Sequence, residues 1–335
     1  MKIINLFVYI ICILGSYTAS AENNHAREKT VPYQQQKVSF KSGENTLQGI
    51  LFTPSQSNGK TVTLIGPVGY VKEQAPLLYG QSLAEKGYTA LIYDPSSHGE
   101  SEGEPRRTES AEQKTLDIIA SVDYLSSLDT VNQSEIYGLA ICQGVNWMIK
   151  AVNRDKRIKA MSLVAGHYLD PEVAEMYNGG KERLKEVISK AEKAKEKYAA
   201  TGEVDYIPIV GSIQQDALLA SPHVYDWYIP WENNANGLGG KWENRISQMS
   251  LLDIWQADVA KDLQKIKKPT LFIHSDKAAS GSSIPKRLFS VIPTSDKSLV
   301  WFEDQFQTMF YDDRALIKRA VGHVDKWFNE TRNLQ

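Results

Sequence analysis

The chain has 335 residues, 42% of them apolar and 23% charged, with a formal net charge of −2. That length buries a large core and suggests one large domain or a domain carrying an insertion. So balanced a charge gives no reason to expect nucleic acid or a membrane surface as the main partner, and a small-molecule substrate is the expected partner.

Met1-Lys2 is followed by an apolar run from Ile3 to Gly15 and by Ala19-Ser20-Ala21 before Glu22. This order predicts a secretory signal peptide over 1–21, cleaved after Ala21, and a secreted or periplasmic product. The apolar run is short for a membrane span, though an uncleaved anchor is the other reading. Cys12 lacks the small residues that precede a lipoprotein cysteine. The mature chain then holds Cys142 alone, so neither a disulfide framework nor a Cys-based zinc site is possible within it. A lone cysteine in a secreted chain is either inert and buried or reactive.

Residues 22–36 read as a polar linker. Gln36 to Lys41 and Thr46 to Thr53 read as two strands around the turn Ser42-Gly43-Glu44-Asn45. Thr61 to Ile65 is a buried strand that opens into Gly66-Pro67-Val68-Gly69-Tyr70, where flexible backbone either binds an oxyanion or simply turns toward a helix. A helix over Lys72 to Lys86 stops at Gly87. Thr89 to Tyr93 is the next buried strand, ending in Asp94-Pro95-Ser96-Ser97-His98-Gly99-Glu100-Ser101, and a second helix runs from about Ala111 to Leu128.

The stretch Ile136 to Trp147 reads as strand, sharp turn and helix, with Cys142 at the apex. A turn that tight brings together the residues two before and two after its apex, and here they are the small Ala140 and Gly144. Cys142 therefore stands where a nucleophile elbow carries its nucleophile, with the N–H of Gln143 pointing at whatever binds there. The bland reading of such a cysteine is a small buried hydrophobe.

Ile158 to Ala165 is another buried strand, opening into Gly166-His167-Tyr168. The alternation of near-continuous apolar strands with helices predicts a mostly parallel sheet covered by helices on both faces. Ligands bind such sheets at the strands' carboxyl ends, where Asp94, His98, Cys142 and His167 fall. The alternation pauses over 169–262, which holds a helix start at Asp170-Pro171, a charged amphipathic helix over Lys181 to Ala199, and the aromatics Tyr206, Tyr225, Trp227, Tyr228, Trp231 and Trp242. This segment reads as a cap inserted over the site, with core over 37–168 and 263–335. Its aromatics either line a pocket or pack the cap onto the sheet. Strands at Pro269 to Ile273 and Lys297 to Phe302, with a closing helix over about Asp313 to Phe328, complete the core.

With these elements in order, the chain from about Lys37 to Phe328 resembles the bacterial α/β-hydrolases of the dienelactone-hydrolase-like group. The likeness rests on Asp94 to Arg106, on Val122-Asp-Tyr-Leu with Ile141-Cys-Gln-Gly144, on Arg157 to Ala160, and on Phe310-Tyr311-Asp312. It implies an α/β-hydrolase fold with a helical, aromatic-rich cap, no cofactor, and Cys142 as nucleophile. It also implies an acid two residues beyond Asp276 and a histidine four before Tyr311-Asp312. Those positions read Ala278 and Gln307.

Glutamine exchanges no proton near neutral pH, so the acid and base must come from elsewhere. Asp276 is the candidate acid from a neighbouring position, and His98, His167 and His274 are the candidate bases. His25, His223 and His323 look peripheral, and the site-facing histidines lack the close spacing of a helix-borne zinc site. The expected function is an exported enzyme attacking an ester, lactone or related acyl carbonyl through Cys142, with the N–H groups of Gln143, Val68 and Gly69 as oxyanion donors. The alternatives are a hydrolase-fold binding protein without turnover and a non-hydrolytic cyclase or lyase.

Overall fold

A computed structural model describes residues 30–212, 217–232 and 241–331. The expected signal peptide 1–21 and the first part of the linker lie outside the described residues. Strand β1 (Tyr33–Ser42) begins inside the expected linker and pairs antiparallel with β2 (Asn45–Pro54) over its whole length. Its polar start is explained by position: β1 is an edge strand, which leaves the side chains of Gln34 to Lys37 exposed.

The remaining strands of the main sheet are β3 (Thr61–Ile65), β4 (Thr89–Tyr93), β5 (Ile136–Ile141) and β6 (Ile158–Val164). Four two-residue strands follow: β7 (Tyr206–Ile207), β8 (Val210–Gly211), β9 (Leu219–Ala220) and β10 (Ile246–Ser247). Strands β11 (Thr270–Ser275) and β12 (Lys297–Phe302) then close the main sheet, whose order is β1-β2-β4-β3-β5-β6-β11-β12. From β4 to β12 every pairing is parallel, while β2 joins β4 antiparallel.

Strands β3, β4, β5 and β11 are buried at every residue. Burial on both faces is why they read as unbroken apolar runs. The covering helices are α1 (Ala75–Ala84), α2 (Ala111–Ser126) and α3 (Gly144–Arg154) before the excursion. Within it lie α4 (Pro171–Tyr177), α5 (Lys181–Thr201), α6 (Pro222–Glu232), α7 (Ser250–Trp255) and α8 (Val259–Leu263). After it come α9 (Ser283–Ser290), α10 (Met309–Asp312) and α11 (Arg314–Glu330). Helix α1 packs on α11 and α2 on α3, and Tyr137 of β5 stacks on Phe328 of α11 at 4.5 Å between ring centroids. This is an α/β-hydrolase fold. Among the described residues no helix is long and apolar enough to cross a membrane.

The segment between β6 and β11 starts where Asp170 caps α4, its carboxylate accepting the Val173 N–H at 3.0 Å. The aromatic residues there pack more than they line a cavity. Tyr228 is buried against Trp242 at 5.2 Å, and Trp227 meets the Tyr311 ring at 5.0 Å while its Nε1–H donates to Asp312 at 2.7 Å. These contacts seat α6 on α10.

Candidate active site

Cys142 follows β5 directly and adopts φ +56°, left-handed backbone that costs a non-glycine residue about 1–3 kcal/mol. Its N–H is bonded to the Val164 carbonyl at 3.0 Å, and α3 begins two residues later. A Cβ at Gly144 would come 2.5 Å from the Gly66 carbonyl oxygen, so only glycine lets α3 rise this close to the loop after β3. The strain at residue 142 is thus imposed by packing on either side of it.

The sulfur is nearly sealed, with Cys142 3% exposed, at the floor of a cavity of about 470 Å³. Its walls include His167, Tyr177, Leu218, Val224, Gln307 and Tyr311. Burial pushes the thiol up to about 11, against the pull of the Tyr311 hydroxyl, the N–H groups of Gln143 and Val68, and the Gln307 amide. The N–H groups of Gln143, at the start of α3, and of Val68, in the loop after β3, both favour the ionised sulfur.

Of the two loop donors expected, the Val68 N–H favours the ionised thiol, and the Gly69 N–H is turned elsewhere. The Gly69 N–H is committed to the Glu109 carboxylate at 2.7 Å. Gln307 fills the place of the expected histidine with every polar atom engaged. Its Oε1 accepts the Ala279 N–H at 2.8 Å, and its Nε2 donates to the Ala165 carbonyl and to the Tyr311 hydroxyl, each at 2.9 Å. Because the Tyr311 hydroxyl accepts a hydrogen bond from the Gln307 amide, its own O–H is left to face the sulfur. Burial holds that phenol well above its ordinary range, so it donates and does not accept.

The candidate acid and bases lie as follows. Asp276 is exposed, and its Oδ1 accepts from the Asp304 N–H at 2.8 Å and from the Ser275 hydroxyl at 3.1 Å, contacts that join the loops after β11 and β12. The Asp304 N–H, the largest influence, keeps its carboxyl below the ordinary range. His98 does not line the thiol cavity. Its Nδ1 meets the Ser96 carbonyl at 3.0 Å, its Nε2 is 3.8 Å from Glu109, and burial with the nearby Lys114 charge holds it well below its ordinary value. His274 lies within β11 between Tyr168 and Trp301, both ring nitrogens unpartnered, and burial lowers it to about 3.

His167 alone of the three histidines borders the cavity. Its Nε2 is unpartnered, its ring lies 4.6 Å from that of Tyr177, and burial lowers it to about 4, so it stands neutral at pH 7. Asn146 of α3 pins the loop that carries it, donating to the His167 carbonyl and accepting the Leu169 N–H, each at 2.9 Å. Ala278 is buried beside Gln307 with no acid in its place. Among the described residues no cluster of His, Cys, Asp or Glu is placed to hold a metal ion.

Three site residues carry no role in the sequence reading. Tyr311 has the one usable signal, since it stands one helical turn after Gln307 and so shares its face. Tyr177 ends α4 and borders the cavity while still 37% exposed, and Glu109 precedes α2 in an irregular stretch.

Comparison with known proteins bears on the family and the fold. YcjY of Escherichia coli is 26% identical over 310 residues, 88% of this chain and 98% of its own. The structure of PA2218 from Pseudomonas aeruginosa superposes with a TM-score of 0.73 at 25% identity, covering 89% of this chain and 95% of that one. GrgF from Penicillium sp., a polyketide transferase, is 33% identical over 122 residues, 36% of this chain and 40% of its own. Its structure gives a TM-score of 0.70 at 22% identity, over 89% of this chain and all of that one. Residues 77–314 match the family described as serine aminopeptidase, S33. With that span, an eight-stranded sheet of this order and an elbow after β5, the chain belongs to the S33 family of α/β-hydrolases.

Proposed function

We propose that this chain is an exported hydrolase-type enzyme that acts on an ester, lactone or related acyl compound through Cys142, with a cysteine elbow like that of the dienelactone-hydrolase-like group. The observation that carries the reading is an elbow thiol, held in left-handed backbone at the end of β5, that borders a cavity and is favoured in its ionised form by the Gln143 and Val68 N–H groups. Donors so placed meet the oxygen that gains charge when a thiol adds to a carbonyl. In this reading the Gln307–Tyr311 pair replaces the imidazole: it gives a hydrogen bond to the sulfur and removes no proton. Attack then draws on the small thiolate fraction, which favours acyl groups with good leaving groups. The relative GrgF, a polyketide transferase, lends support as a protein that transfers a polyketide group.

A second reading has its own observation. A protonated thiol beside a fully bonded Gln307 suits a binding protein that holds an acyl compound without turning it over. Turnover of short-chain aryl esters by wild type and Cys142→Ala, from pH 7 to 10, separates the two. The enzymatic reading expects a rate that rises with pH and vanishes in the variant. Equal rates in both proteins sink the covalent mechanism. Export is tested by N-terminal sequencing of the mature protein, which is expected to begin at Glu22.

A further inference from the structure

Behind the loop after β3 lies a buried ion pair. Glu109 is 1% exposed; its Oε1 accepts the Gly69 N–H at 2.7 Å and the Lys114 ammonium at 2.5 Å. Lys114, on the first turn of α2, is buried as well. A buried pair of this kind is often no more stabilising than apolar residues of the same size. Its geometry, though, serves one amide. Gly69 takes φ +59°, left-handed backbone that suits glycine, with the tip of Ile209 filling the space a Cβ would need.

Between Gly69 and Pro67, whose ring fixes its own φ, stands Val68. Both flanks of Val68 are held, and its loop packs on the elbow, where a Cβ at Gly144 would meet the Gly66 carbonyl oxygen at 2.5 Å, with the Val68 N–H favouring the ionised sulfur. Glu109 also faces outward. Its own N–H donates to the Ser250 hydroxyl of α7 at 2.9 Å, the Ala111 N–H donates to Asp253 at 2.8 Å, and the Ser247 N–H of β10 donates to the Arg107 carbonyl at 2.9 Å. The stretch 107–111 thus grips the segment between β6 and β11 on one side and the oxyanion loop on the other.

We propose that Glu109 is a positioning residue: its Lys114-held carboxylate clamps the Gly69 amide, so that the Val68 N–H stays aimed at the charge forming on the Cys142 adduct. The role rests on the acyl chemistry proposed above, so the test includes a reading that needs no substrate. A charge-assisted bond to a backbone amide is strong enough to hold such a loop, whereas a neutral amide oxygen holds it less firmly and alanine not at all.

The experiment compares wild type with E109A/K114M and E109Q/K114M, double variants that leave no unpaired buried charge. Alkylation of Cys142 by iodoacetamide at pH 9 is expected to slow about tenfold in E109A/K114M and less than threefold in E109Q/K114M. For aryl esters, kcat is expected to fall likewise with KM unchanged. Equal alkylation rates in all three folded proteins overturn the proposal, as does a loss confined to KM. If alkylation behaves as expected while no protein turns over esters, the clamp stands and the acyl reading falls. Should E109A/K114M not fold, hydrogen exchange in wild type decides: a Gly69 amide exchanging as fast as an open loop overturns the clamp, and one protected like the β3 amides supports it.

Discussion

Restoring an imidazole to the site is the sharpest test of how this thiol is governed. In the double variant Gln307→His with Ala278→Asp, the ring takes the position now bonded to Ala279, Ala165 and Tyr311, and the new carboxylate lies beside it. A thiol at about 11 leaves roughly three parts in ten thousand as thiolate at pH 7.5. A positioned general base is worth about 10²–10⁴ in rate. The variant is therefore expected to exceed wild type about a hundredfold in kcat/KM for a short-chain aryl ester at pH 7.5. It is also expected to plateau above pH 7, whereas the wild-type rate climbs about tenfold per pH unit toward 11. Losing part of the Gln307 network costs about 1–3 kcal/mol, read from the urea midpoint. A folded variant with its imidazole within about 4 Å of the sulfur but the wild-type pH profile refutes the argument, because thiol ionisation would then not limit the reaction.

Tyr311→Phe removes the hydroxyl that bonds the sulfur, and alkylation of Cys142 at pH 9 is expected to slow about tenfold; an unchanged rate means the hydroxyl does not stabilise the thiolate. Gly144→Ala drives a methyl toward the Gly66 carbonyl and is expected to cost about 1–3 kcal/mol in chemical denaturation, with no loss if the loop yields freely. His274 binds its proton only near pH 3 when folded but near 6.5 when unfolded, so the unfolded chain takes up protons first. Its contribution to stability is complete above pH 6.5 and is lost as pH falls through that window, by up to about 1.4 kcal/mol per unit. His274→Leu is expected to unfold at lower pH than wild type, and an identical acid midpoint removes His274 as the cause.

The fold is legible in the sequence where physics is local. Strands β3 to β6 and β11 are apolar runs because both faces are covered, and the elbow shows through Ala140 and Gly144 because only small residues fit a turn so tight. The start of β1 is masked by glutamines that an edge strand tolerates, and two-residue strands such as β8 are too short to have a period. The candidate site is legible at Cys142, Gln143 and Val68, which closely follow buried strands, and at Gln307, in the loop after β12. Its tyrosines and Glu109 are not, because nothing local separates a Glu before a helix from an ordinary surface acid. Only the fold buries it against Lys114 and Gly69. For the same reason Asp276 and His98, both at strand ends, look available in sequence and are engaged elsewhere in space.

The protonated state of Cys142 has a consequence for the molecule's durability. Peroxide and disulfide exchange act on the ionised form, and a sulfur held near 11 exposes about a hundredfold less of it at pH 7 than a cysteine at its ordinary value of 9. Oxidants that would turn a solvent-facing sulfur into sulfenic acid find little to attack. A residue shielded in this way forgoes speed in return for resistance to oxidation.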